Sequence, residues 1–67
     1  MDKVKHYDLP IPPIEYIEAN QLDFCEGNVI KYVTRYKQKD GLRDLYKAMH
    51  YLTILINREN GKEVENR

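Results

Sequence analysis

Sixty-seven residues with eleven basic and eleven acidic side chains make a single domain of zero formal charge, too short to bury a large core and not a general polyanion binder of the histone or ribosomal kind. Cys25 is the only cysteine, and His6, Cys25 and His50 lack metal-ligand spacing, so neither a disulfide nor a structural metal is expected to support so small a fold. Oligomerisation is the remaining route.

The first dozen residues lead into "LPIPP", whose prolines favour extended backbone and exclude a helix, so residues 1–12 are expected to form an extended N-terminal arm. Pro13 suits a first helical turn, and Ile14 and Ile17 recur at helical spacing, predicting a first helix over 13–20. Asp23 or a neighbour can cap a second helix running to about Lys37, with Val29, Ile30, Val33 and Tyr36 as its buried face. Gly27 inside it costs about 1 kcal/mol against Ala unless a close approach requires it.

"KDG" at 39–41 breaks the pattern, and Asp40 is placed to cap a third helix over about 41–59. Leu42, Leu45, Tyr46, Met49, Leu52, Thr53 and Ile56 run down one side of that helix. "ENG" at 59–61 supplies a C-cap, leaving 61–67 as a polar tail after a helical domain of 13–60. Ala48, Tyr51, Ile54 and Leu55 widen the apolar surface beyond what two short helices can contact. The expectation is an all-α, compact three-helix domain that assembles as a homo-oligomer; the alternative is that the broad face covers a small intramolecular core.

Charge is unevenly placed. Residues 31–47 hold six basic side chains against two acidic ones, and 14–28 hold four acids and no base. At about 100° per residue, Asn28, Lys31, Tyr32 and Arg35 share one quadrant of the second helix. An amide, an ammonium, a phenol and a guanidinium on one face suit a nucleotide: Arg forks onto phosphate oxygens, Lys supplies a mobile charge, Asn reads a ribose or base edge and Tyr offers a stacking surface. The alternative is a solvated cationic face. His6 and Tyr7 form an aromatic pair on the arm, placed to close over a base or to anchor the arm by packing. Glu15, Glu18 and Glu26 are candidates for a magnesium site, with solvated acids as the alternative. No phosphate loop or nucleophile elbow is present, and no segment reaches the roughly 18 apolar residues of a membrane span.

The stretches "GNVIKYVTRYKQKDG" and "DLYKAMHYL", within residues 6–56, resemble a small domain of unknown function common in phages, the SaV-like group often labelled a phage nucleotide kinase domain. Its pattern falls on His6, Tyr7, Glu15, Gly27, Asn28, Lys31, Tyr32, Arg35, Lys39 and Gly41, and on Asp44, Leu45, Lys47, Ala48, Tyr51 and Leu52. The resemblance implies a phage origin and a link to nucleotides. Together these readings give a ligand-binding set of His6, Tyr7, Asn28, Lys31, Tyr32, Arg35 and Lys39, with no catalytic residue, no metal and no cofactor. The expected protein is a non-enzymatic nucleotide binder in the host bacterial cytosol. It would sequester a signalling nucleotide of the cyclic or ADP-ribose type, and neither a membrane nor a nucleic-acid polymer is an expected partner. The alternatives are a nucleotide kinase-like or magnesium-dependent phosphohydrolase enzyme, and an inhibitor that binds a host protein.

Overall fold

The computed structural model describes residues 9–65, so His6 and Tyr7 lie outside the described residues. Three helices are present, α1 (Pro13–Ala19), α2 (Phe24–Arg35) and α3 (Leu42–Glu65), with a 3-10 turn at Tyr36–Gln38 and no strand among the described residues. No helix is long and apolar enough to cross a membrane among them.

Each helix end has a local cause. Pro12 is extended and Pro13 opens α1, where the fixed proline φ suits the first turn. The end of α1 is a Schellman motif: Leu22 N–H donates to Ile17 O at 3.0 Å and Gln21 N–H to Glu18 O at 3.1 Å. That motif places Gln21 at φ 54, a left-handed conformation that glycine normally supplies. α2 starts with a complete capping box, in which Asp23 Oδ1 accepts from Glu26 N–H and Glu26 Oε1 accepts from Asp23 N–H, both at 2.9 Å. Glu26 is thereby committed to the cap.

α2 ends two residues before the expected Lys37, passing into the 3-10 turn, and Gly41 at φ 56 reverses the chain. Asp40 was expected to cap α3 with its side chain. Instead its backbone N–H donates to Asp44 Oδ2 at 3.1 Å, so the carboxylate one turn into α3 holds the turn. At the other end α3 runs through Asn60 and Gly61 to Glu65. The "ENG" signal does not stop the helix, because nothing packs near Gly61 to demand a turn and the following Lys and Glu are good helix formers.

α2 lies in the middle, with α1 packed on one flank and α3 on the other, and the backbones of α1 and α3 do not approach each other. Both neighbours run antiparallel to α2, as Ile17 against Gly27, Arg35 beside Asp44 and Asp23 beside Arg58 show. The three helices sit side by side, with α2 between the other two.

The expected buried face of α2 is met in part. Val33 is 48% exposed, whereas Val29, Ile30 and Tyr36 are half-buried, and Val29 and Ile30 line a groove with Tyr16 and Leu22 on one side and Leu55 of α3 on the other. On α3 the residues turned toward α2 are Asp44, Ala48, Tyr51 and Leu55, while the expected stripe of Leu45, Met49 and Leu52 is exposed. Ala48 is the only buried hydrophobic residue among those described, and Asp44 is fully buried.

Candidate functional site

Tyr32 sits at the centre of the α2–α3 seam, with its ring stacked on that of Tyr51 at 6.2 Å between centroids and 11° between planes. Three cations surround it: Lys31 Nζ at 4.6 Å from the ring centre, Arg35 Cζ at 4.8 Å and Lys47 Nζ at 5.4 Å. Attraction to the ring face offsets part of their mutual repulsion. The i, i+3 and i, i+4 spacings on α2 bring Lys31, Tyr32 and Arg35 together, and the antiparallel register adds Lys47 and Tyr51 from α3.

Asp44 is the counter-charge. Arg35 Nη2 donates to Asp44 Oδ1 at 3.3 Å, and the other carboxylate oxygen takes the Asp40 N–H. Burial alone would raise the Asp44 carboxyl. The Asp40 N–H, the Arg35 hydrogen bond and the charges of Arg35 and Lys47 outweigh it and hold the group below its ordinary 3.8. Arg35 is thus held in place from one side, and its Nε is buried without an acceptor among the described residues. Lys31 and Lys47 have no ion-pair partner among the described residues. Among the described residues, three cations against one carboxylate leave a local excess of positive charge.

Beside this cluster, Tyr32, Arg43, Tyr46, Lys47, His50 and Tyr51 line an open groove of about 380 Å³, within the usual range for small-molecule sites. His50 meets Tyr51 edge-on at 5.2 Å, and Phe24 does the same at 5.8 Å, so the groove wall is an aromatic run with cations along its edge. A second groove, of about 430 Å³, lies between α1 and α2 and is lined by Leu9, Pro12, Pro13, Ile14, Lys31, Thr34, Arg35 and Gln38.

The predicted site residues are distributed as follows. Lys31, Tyr32 and Arg35 come together, but Tyr32 and Arg35 turn toward α3 rather than outward to solvent. Tyr32 is already stacked and Arg35 already paired. Asn28 lies along the same line of α2 but donates its amide to Phe24 O at 2.8 Å and lines a hollow with Ile17, Leu22 and Gly27. Lys39 is exposed, and its backbone caps the 3-10 turn. The predicted site set omits the contribution of α3: Arg43 and Lys47 enter the sequence reading only through the basic stretch 31–47 and the family pattern, Tyr46 only as part of the apolar side, and His50 has no site role. Their i, i+3 and i, i+4 spacing was the available signal. Among the described residues no group of three His, Cys, Asp or Glu side chains has the geometry to hold a metal.

The chain belongs to DUF3310, a family of proteins of unknown function whose profile matches residues 1–53. No curated protein and no solved structure matches it.

Proposed function

For this member of DUF3310 we propose a non-enzymatic nucleotide-binding role: a phage-encoded protein that sequesters a signalling nucleotide, cyclic or ADP-ribose in type, in the host cytosol and so counters antiviral defence, acting as a homo-oligomer. The observation that carries the reading is the group of three cations around Tyr32 with Asp44 as their one carboxylate partner among the described residues, set against an aromatic groove. An anion relieves the repulsion among the cations. Lys31 and Lys47 supply the mobile charge for phosphate oxygens, and Arg35, fixed by Asp44, keeps the field in place. Tyr46 and His50, both exposed, supply the flat surfaces for a base now that Tyr32 is stacked on Tyr51. Asp44, the carboxylate within the cluster, is committed to the Arg35 ion pair and the Asp40 N–H, so the role assigned to the site is affinity rather than turnover.

Calorimetry with cyclic mononucleotides, cyclic dinucleotides and ADP-ribose tests this. Lys47→Ala and Lys31→Ala should each weaken binding by roughly tenfold or more, the effect of losing a charged hydrogen bond of about 1.5 to 3 kcal/mol. Lys37→Ala, remote from the cluster, should leave it unchanged. The nucleotide should return intact after heat denaturation of the complex. Equal losses from Lys37→Ala and Lys47→Ala, or a chemically altered nucleotide, would remove the reading.

A further inference from the structure

The basic side chains of the site divide between two grooves. Lys31 and Arg35 line the groove between α1 and α2, and Arg43 and Lys47 line the groove between α2 and α3. Lys31, Arg35 and Lys47 then meet around the single ring of Tyr32, so the two hollows flank one cationic ridge. Their volumes are similar, about 430 and 380 Å³, and each is of a size that holds a small flat group.

We propose that the ligand is a dinucleotide, with its phosphates on the cations around Tyr32 and one base in each groove. This rests on the nucleotide reading above and narrows it to molecules with two bases. Charge is the first argument. Among the described residues, Lys31, Arg35 and Lys47 stand against Asp44, which leaves two positive charges, and the two phosphodiesters of a cyclic dinucleotide carry two negative ones. A ligand confined to one groove would leave the basic residues of the other unrelieved. Arg35 also has donor capacity to spare: Asp44 takes its Nη2, and its Nε is buried without an acceptor among the described residues. An unmet charged donor is costly, and a phosphate oxygen drawn to the guanidinium supplies the acceptor.

The groove walls decide what joins the phosphates. Tyr46 and His50 offer aromatic faces between α2 and α3. Between α1 and α2, Leu9, Pro12, Pro13 and Ile14 form an apolar wall, with the exposed Thr34 and Gln38 alongside. A base has apolar faces and hydrogen-bonding edges, and it matches a wall and polar neighbours of this kind. A terminal ribose does not, because its hydroxyls would be set against proline and isoleucine without partners. ADP-ribose, with one base and one terminal ribose, therefore fits less well than a dinucleotide.

Calorimetry with cyclic di-AMP, AMP and ADP-ribose tests this. AMP carries a charge of about −1.5 to −2 on a single base, so it separates the effect of charge from that of the second base. Cyclic di-AMP should bind roughly tenfold to a hundredfold tighter than AMP, the effect of one more base seated on the protein, and tighter than ADP-ribose. Thr34→Trp, at an exposed position of α2, fills the α1–α2 groove; it should weaken cyclic di-AMP binding by about tenfold or more and leave AMP binding unchanged. The comparison of ligands uses the unaltered protein, so it decides the matter even where the variant fails to fold. Cyclic di-AMP binding no tighter than AMP, or binding that Thr34→Trp does not weaken, overturns the proposal. So does ADP-ribose binding tighter than cyclic di-AMP. In each of these cases losses from Lys31→Ala and Lys47→Ala would leave the nucleotide reading standing, whereas failure of all three ligands to bind removes both.

Discussion

Replacing Gly27 by Ala tests how α1 is seated on α2. In an open helix the change stabilises by about 1 kcal/mol, because glycine loses more backbone freedom on folding. Here a Cβ would lie 3.2 Å from Ile17 Cγ2, 3.4 Å from its Cδ1 and 3.7 Å from its Cγ1, the first two of these shorter than the roughly 3.5 to 4.0 Å of a favourable contact. Overpacking of this kind costs about 1 to 3 kcal/mol. The lower end applies, since α1 has seven residues, none buried and no side-chain cap, and can give by a few tenths of an ångström. The two effects nearly cancel, so Gly27→Ala should unfold in urea within about 0.5 kcal/mol of the parent. Gly27→Leu, whose added carbons have no space between the helices, should lose about 2 to 3 kcal/mol or release α1. Urea titration by circular dichroism at one protein concentration measures both, and the Ile17 methyl resonances report the contact directly. A full gain of about 1 kcal/mol for Gly27→Ala would mean that the helices stand further apart than the structure places them. A loss beyond about 2 kcal/mol would mean that α1 is rigidly seated.

Gly41→Ala should cost about 1 kcal/mol in the same urea titration, because Gly41 holds φ 56 and a Cβ is penalised in that left-handed conformation although nothing lies within 4 Å of it. Asp23 and Asp44 titrate below their ordinary 3.8 in the folded chain: the Glu26 N–H and then the Arg58 hydrogen bond lower Asp23, and the Asp40 N–H and Arg35 overcome burial at Asp44. A depressed native pKa contributes stability that is fully present above the unfolded value and lost as pH falls through the native one. The thermal midpoint should therefore hold from neutral pH to about pH 5 and fall below about pH 4, with Asp44→Asn flattening the fall; a midpoint unchanged down to about pH 2.5 would refute the linkage. Asp23→Ala should destabilise more than Arg58→Ala, since Asp23 holds both the Glu26 N–H at 2.9 Å and Arg58 at 2.8 Å, and Asp23→Ser should recover the cap alone; equal losses in thermal melts would contradict the capping role.

The sequence by itself determined the elements. Pro13, the Asp23–Glu26 box and the Gly41 turn act on the backbone within a few residues of themselves, so the positions of three helices could be read locally. Where a local signal lacked a packing partner, as at Asn60 and Gly61, the reading stopped the helix too early. The stripe of Asn28, Lys31, Tyr32 and Arg35 was also legible, because helical periodicity is a property of one segment. What each of its members does was decided by residues far along the chain. Asp44, in the first turn of α3, becomes the buried partner of Arg35 through the antiparallel register of α2 and α3, and the same register stacks Tyr32 on Tyr51 and brings up Lys47. Periodicity shows that a helix has an apolar side but not where its neighbours stand. With α1 and α3 on the flanks of α2, Val29 and Ile30 are only half-buried and the Leu45, Met49, Leu52 and Ile56 stripe expected to form a core is exposed.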